Sequence, residues 1–247
     1  MEKIGQKYDI ERGLLIVANY NQMAEIGSVL ERCEKHFPKH NTLVVDDGST
    51  DGSCEYAQEQ GFRVIRHERN MGIGAGIRTG IDFAMANGYS WVLISSSNGK
   101  IRPEDFKTVY SPLIEGEADY VTGSRFARGG SSPGLTPFRR FAIPIFSLAT
   151  YPFLGKRFSD ITCGFRAYSL DLFKNTKCNI HQEWLNRYEL EYYIHYWACR
   201  LGVRIKEVPV MIPYTHLAKG RKSKIRPFVG WWSMIRPFVY LRLGLRT

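Results

Sequence analysis

Thr42-Leu43-Val44-Val45-Asp46-Asp47-Gly48-Ser49-Thr50-Asp51-Gly52 changes character half-way along. A short, β-rich apolar run predicts a buried strand, and it ends directly in a turn cluster that opens a helix with Ser or Asp as its cap. Two acids immediately after a buried strand need partners, because an unpaired carboxylate there is costly. Asp51 suits the helix cap. Asp46 and Asp47 are placed to accept hydrogen bonds from a ribose or a base edge.

The same unit recurs on either side. Gly13 to Ala18 reads as a strand and ends in Asn19-Tyr20-Asn21-Gln22, and Met23 to Cys33 then puts Ile26, Val29 and Leu30 on one helical face. Phe62 to Ile65 is a third strand, Gly72 to Ala86 a helix, and Trp91 to Ile94 a fourth strand that ends in Ser95 to Lys100. Strands alternating with helices predict an α/β fold with a mostly parallel, doubly wound sheet. Ligands of such sheets sit beyond the carboxyl ends of the strands, where all three polar clusters fall. Tyr20 suits either stacking on a base or the core. Further on, Arg125 to Pro144 reads as a long mobile loop, Arg139-Arg140 begins a helix running toward Leu154, Glu183 to Gly202 is a helix, and Val203 to Ile212 is a late strand.

Composition agrees with a globular chain: 247 residues, 44% hydrophobic and 23% charged. That excludes disorder, collagen and a disulfide mini-scaffold. Five widely spaced Cys without a CxxC, behind an N-terminus with no leader pattern, predict reduced thiols in a cytosolic protein. The net charge is +10, and eight basic residues without an acid lie beyond Leu217: Lys219, Arg221, Lys222, Lys224, Arg226, Arg236, Arg242 and Arg246. The body is therefore nearly neutral, and the basicity belongs to one terminal device suited to phosphates or an anionic membrane. A nucleic-acid module would explain that charge but not the acids at strand ends.

Gly72-Ile73-Gly74-Ala75-Gly76 is not a dinucleotide fingerprint. It follows the third strand rather than the first, and Thr79 stands where the last glycine belongs. Its glycines allow a close approach of backbone to a ligand.

Ile16 to Gln22, Val44 to Ser53 and Arg69 to Ala75 resemble the nucleotide-binding half of family 2 glycosyltransferases. The subgroup most similar is that of the dolichyl-phosphate mannose and polyprenyl-phosphate glucose synthases. Gly123-Ser-Arg-Phe126, Asp160-Ile-Thr-Cys-Gly-Phe-Arg166, Glu207-Val-Pro209 and Lys222-Ser223-Lys224 continue the resemblance through nearly the whole chain. It implies a single GT-A (Rossmann-like) domain over residues 1–226 and a basic, aromatic tail over 227–247. It also implies an inverting transferase that moves a sugar from a nucleotide-diphosphate sugar to a polyprenyl phosphate at the cytoplasmic membrane face. Tyr20, Asp46, Asp47, Asn70, Gly72, Ser96 and Asn98 would hold the nucleotide-sugar. Arg125, Asp160 and Arg166 would lie near the sugar, the diphosphate or the acceptor phosphate, and Arg140, Lys222, Ser223 and Lys224 would bind that acceptor phosphate. Glu189 or Glu191 matches a helix acid of the family.

One stretch departs from the family pattern. An Asp-x-Asp motif that holds Mg²⁺ or Mn²⁺ is expected after the fourth strand, and Ser96 and Asn98 occupy its two acidic positions. Gln22 stands where Glu is usual. Hard divalent cations want charged oxygen ligands, so metal binding is expected to be weak, with Lys100 as a nearby cation opposite the diphosphate. The alternative is a GT-A protein that binds nucleotide-sugar, or serves as a partner subunit, without catalysing transfer. A lipid monophosphate needs no general base, being largely a dianion near neutral pH with its second pKa at about 6. The chemistry asked of the protein is positioning and charge neutralisation.

Pro227 to Leu245 is apolar and aromatic but broken by Pro237, Arg236 and Arg242, which is too polar for a spanning helix. Three destinations are open to it: a membrane interface with Trp231, Trp232 and Tyr240 at headgroup level, packing on the body, or pairing with a membrane subunit or a second copy.

Overall fold

A computed structural model describes residues 8–214 and 229–246. The strands are β1 (Gly13–Asn19), β2 (Thr42–Asp46), β3 (Arg63–Arg66), β4 (Trp91–Ser96), β5 (Tyr120–Ser124), β6 (Arg166–Ser169) and β7 (Ile205–Pro209). The helices are α1 (Met23–His36), α2 (Ser53–Glu59), α3 (Ile73–Ala86), α4 (Phe106–Ile114), α5 (Pro137–Ala149), α6 (Tyr151–Leu154), α7 (Glu189–Arg200) and α8 (Val229–Arg242). One seven-stranded sheet has the order β3-β2-β1-β4-β6-β5-β7. It is parallel except at β6, which runs antiparallel to both β4 and β5. The chain leaves β1 toward β2 on one side and later returns to β4 on the other, so a topological switch point lies at the carboxyl ends of β1, β2 and β4.

Side chains alternate across the pleat. Leu14 and Ile16 of β1 enter one apolar layer with Ile77 and Ile81 of α3 and Tyr193 of α7. Leu15 and Val17 enter the other with Ile26, Val29 and Leu30 of α1 and Phe106 of α4. A sheet covered on both faces explains why β1 is buried throughout and reads as an unbroken apolar run.

Two expectations change. The stretch after Arg125 is held rather than loose: Phe126 N and Ala127 N donate to Ser124 Oγ, Ser131 N to Val210 O, and Ile212 N and Tyr214 N to Ser131 O and Pro133 O. The helix expected from Glu183 is one turn of 3-10 helix (Glu183–Leu185) followed by α7. Of the destinations open to the tail, packing on the body is the one α8 takes. Phe238 of α8 is 1% exposed and packs between Phe153 and Tyr192, Tyr240 lies edge-on to Trp184, and Arg236 pairs with buried Glu189 at 2.6 Å. Through Phe238, α8 thus shares a core cluster with Leu154 of α6 and Tyr192 of α7. Trp232 remains about half exposed.

Phe238→Ala is therefore expected to lower unfolding free energy by about 3–5 kcal/mol, the cost of truncating a buried phenylalanine, in a urea titration followed by circular dichroism. An unchanged midpoint would return α8 to the status of a detached tail.

Candidate active site

Asn19, the last residue of β1, ties three strand ends together. Its Nδ2 donates to Asp46 Oδ1 at 2.6 Å and to Ser53 Oγ at 2.9 Å, and its Oδ1 accepts from Ser97 Oγ at 2.6 Å. Asp46 also accepts from Ser49 N (2.9 Å) and Ser49 Oγ (2.5 Å). It is fully buried, so its carboxylate organises the turn after β2 instead of facing a ligand. Asp51 is not the cap of α2: Gly52 holds that position without a side-chain cap hydrogen bond, and Asp51, one residue earlier, accepts from Met23 N at the start of α1 (2.8 Å) and from Ser53 N (3.0 Å).

Asp47 is the acid of the pair that reaches the cavity. Met71 N and Gly72 N donate to its two oxygens, both at 2.8 Å. His67 bridges it to α3, with Nδ1 2.8 Å from Asp47 Oδ1 and Nε2 2.9 Å from Thr79 Oγ1. The glycines at the start of α3 serve this closure. A Cβ on Gly72 would lie 2.4 Å from Asn186 O, and one on Gly74 2.2 Å from Leu185 O. The close approach is to another backbone segment, and Ala75 N donates to Asn186 O.

Beyond the ends of β1, β2 and β4 lies a cavity of about 520 Å³, a size that holds a small organic ligand. Tyr20, Asp47, Asn70, Gly72, Ser96, Asn98 and Arg125 line it, as do Lys100, Arg187, Tyr188, Glu191 and Tyr214. Four expected residues do not. Asp46 lies behind the wall. Asp160 is buried and clamps Arg125 through Nε (2.6 Å) and Nη2 (2.8 Å). Arg166 spends its guanidinium on the carbonyls of Cys163, Glu191 and Ile161, which fixes the wall segment to α7. Arg140 is exposed on α5. Lys222, Ser223 and Lys224 lie outside the described residues.

Sequence reasoning missed His67, Arg187, Tyr188, Thr162 and Tyr214. Arg125 shows why: its other guanidinium contacts are Thr162 Oγ1 at 2.6 Å and Tyr214 OH at 2.7 Å, partners 37 and 89 residues away with no local motif. Of the two helix acids, Glu191 lines the cavity, whereas Glu189 pairs with Arg236. Burial raises the Glu191 carboxyl above its ordinary value, and the Arg166 guanidinium opposes that rise only in part.

A divalent cation does not fit the residues present. Ser96 and Asn98 offer neutral oxygens, and Asn98 Oδ1 already accepts from Lys100 N at 3.0 Å. The Asp47 oxygens are held by backbone amides and His67, and the Lys100 ammonium shares the wall, 5.5 Å from the Tyr214 ring centre. Among the described residues no group of three or more His, Cys, Asp or Glu is placed to hold a metal ion.

The sequence model of glycosyl transferase family 2 matches residues 14–176, which span every element of this cavity except the α7 and Tyr214 sides. The chain belongs to glycosyl transferase family 2. It is 27% identical over 217 residues to the undecaprenyl-phosphate mannosyltransferase of Micrococcus luteus, covering 86% of this chain and 88% of that one. It is 28% identical over 221 residues to the polyprenol monophosphomannose synthase of Mycolicibacterium smegmatis, covering 86% and 82%. The mannosyl-3-phosphoglycerate synthase of Rubrobacter xylanophilus superposes with a TM-score of 0.67 at 17% identity, over 96% of this chain and 79% of that one, which supports the fold. This glycosyltransferase thus carries the expected single GT-A-like domain.

Two outcomes follow from this geometry. Asp46→Ala should cost about 2–4 kcal/mol in urea unfolding, because it strands buried donors on Asn19 and Ser49; stability equal to wild type would show that the clamp is not needed. Glu191, with its folded pKa raised, contributes stability that is complete below its unfolded pKa and is lost as pH rises through the folded value. Glu191→Gln should therefore melt above wild type at neutral pH, and the gap should close as pH falls toward about 4. A gap that widens on acidification would reverse the assigned shift.

Proposed function

We propose that this glycosyltransferase moves a sugar from a nucleotide-diphosphate sugar to a polyprenyl phosphate at the cytoplasmic face of a membrane, with inversion at the anomeric carbon. The observation that carries the reading is a switch-point cavity with Tyr20 and Asp47 at one end and Lys100, Arg125 and Arg187 on its walls. The two relatives whose names specify a polyprenyl-type phosphate acceptor support the acceptor class.

In this reading Tyr20 and Asn70 flank the nucleoside, and the Asp47 clamp holds the backbone at Met71 and Gly72 that forms the floor. Lys100 and Arg187 face the diphosphate and neutralise charge as it develops on the leaving group, in place of a metal ion. Arg125 is held in position by Asp160, Thr162 and Tyr214. The acceptor phosphate attacks as a dianion, so no general base is required, and Asp160 and Arg166 are positioning residues.

A thermal-shift panel of UDP-, GDP-, CDP- and dTDP-sugars, with Mn²⁺ or with a chelator, tests the donor site. One nucleotide class should stabilise the protein equally in both conditions. Transfer to a short-chain polyprenyl phosphate should proceed in chelator, and Lys100→Ala should lower kcat/KM about 100-fold, the scale of losing one preorganised charge contact. Strict Mn²⁺ dependence would sink the metal-free reading. Stabilisation without transfer to any lipid phosphate would favour a nucleotide-sugar-binding subunit.

A further inference from the structure

The chain has no acid between Asp119 and Asp160, and this stretch contains Arg125, Arg128, Arg139, Arg140, Lys156 and Arg157. α5 lies within it. Thr136 caps the helix by accepting from Arg139 N. Its inner side holds buried Ser147 and Thr150, and Phe146 meets Tyr192 of α7 edge-on. Its outer side carries Phe141 (69% exposed), Ile145 (67%) and Leu148 (57%). The i, i+4, i+7 spacing makes these one stripe, and exposed Tyr151 extends it, with the Arg157 guanidinium 5.2 Å from its ring centre. A large apolar residue at each of these positions, all turned to solvent, marks an interaction surface.

The charge around the stripe selects the occupant. Arg128, Arg140, Lys156 and Arg157 are exposed, and Arg139 is half-buried. A second copy docking this face onto its own equivalent would bring these cations together without a compensating acid, because a two-fold interface pairs like with like. An anionic bilayer supplies both an apolar interior for the stripe and negative headgroups for the arginines.

We propose that α5, through Phe141, Ile145 and Leu148, is the surface on which this protein rests on an anionic lipid membrane. The tail, for which a membrane interface was one open destination, packs on the core through Phe238. α5 is also tied to the cavity wall. Ser147 Oγ accepts from Ile161 N at 3.1 Å, and Thr162 and Cys163, the next residues, line the cavity. Docking by this helix would bring the wall to the bilayer surface, where a lipid-borne phosphate resides. The inference rests on the lipid-phosphate reading for its purpose but not for its test.

The test uses the full chain and vesicles of phosphatidylcholine with or without phosphatidylglycerol, lacking any polyprenyl phosphate, so that binding is read separately from transfer. Wild type should co-sediment with the anionic vesicles and weaken as salt is raised. The double variant Phe141→Ser/Ile145→Ser should lower partitioning at least about tenfold, with an unchanged melting temperature and unchanged nucleotide-sugar stabilisation. Arg139→Gln/Arg140→Gln should lower it only at low salt. Wild-type partitioning by the Ser variant would overturn the proposal. So would loss of binding in Trp232→Ala/Leu243→Ser alone, which would make α8 the anchor. A wild-type dimer in sedimentation velocity that the Phe141→Ser/Ile145→Ser variant dissociates would also overturn it, by giving the stripe to a second copy.

Discussion

The hydrogen bond from Asn19 to Asp46 sets where everything else in the site can be. It is buried and 2.6 Å long, and it joins the last residues of two parallel strands. Parallel strands end in register but have no turn to hold their ends together, so side chains must do it. Asn19 is suited to this because its amide donates toward β2 and accepts from Ser97 beyond β4 at once. The Asp46 carboxylate absorbs the donors that the turn at Ser49 would otherwise leave unpaired, and an unpaired buried donor is expensive. With the three strand ends locked, Tyr20, Asp47 and the Ser95–Lys100 loop have no choice but to surround one cavity.

The charge in that cavity is distributed in an unusual way for the family pattern the sequence resembles. The acids that remain are committed or displaced: Asp46 to the turn, Asp47 to backbone amides, Asp160 to Arg125. The cations Lys100 and Arg187 sit on the wall. In the function proposed above, a polyanionic ligand entering this space would meet fixed positive charge in place of a metal ion. Fixed charge needs no reorganisation when negative charge moves onto a leaving group. Burial also raises the pKa of Glu191, a carboxyl on the same wall, against the opposing pull of Arg166.

Much of the layout was legible along the chain. β1 to β4, α1, α3 and the convergence of three polar clusters follow from short apolar runs that end in turn chemistry, a strictly local signal. β5 and β6 were not legible. They are five and four residues long, and their sequences, Tyr-Val-Thr-Gly-Ser and Arg-Ala-Tyr-Ser, carry no clean alternation. They become strands because neighbouring strands satisfy their backbone groups. The direction of β6 is likewise a property of its partners. The stretch after Arg125 read as loose because its Gly and Ser content is that of a loop, whereas its hydrogen bonds come from residues about eighty positions later.

Residue types and their local order alone determined that this protein is a doubly wound α/β domain with three polar clusters at the strand ends; that Ser96 and Asn98 stand where paired acids are expected is what the resemblance to the family implies. Tertiary structure alone decided which acid faces the cavity. Asp46 and Asp47 are adjacent and chemically identical, but successive residues at a strand end point in opposite directions, so one meets Asn19 and the other the cavity. It also decided which amphipathic segment is core and which is surface. α5 and α8 both mix aromatic residues with arginines, and composition cannot rank them. The groove beside α7 accepts Phe238 and the Arg236–Glu189 pair. That burial leaves α5 with its apolar stripe facing outward.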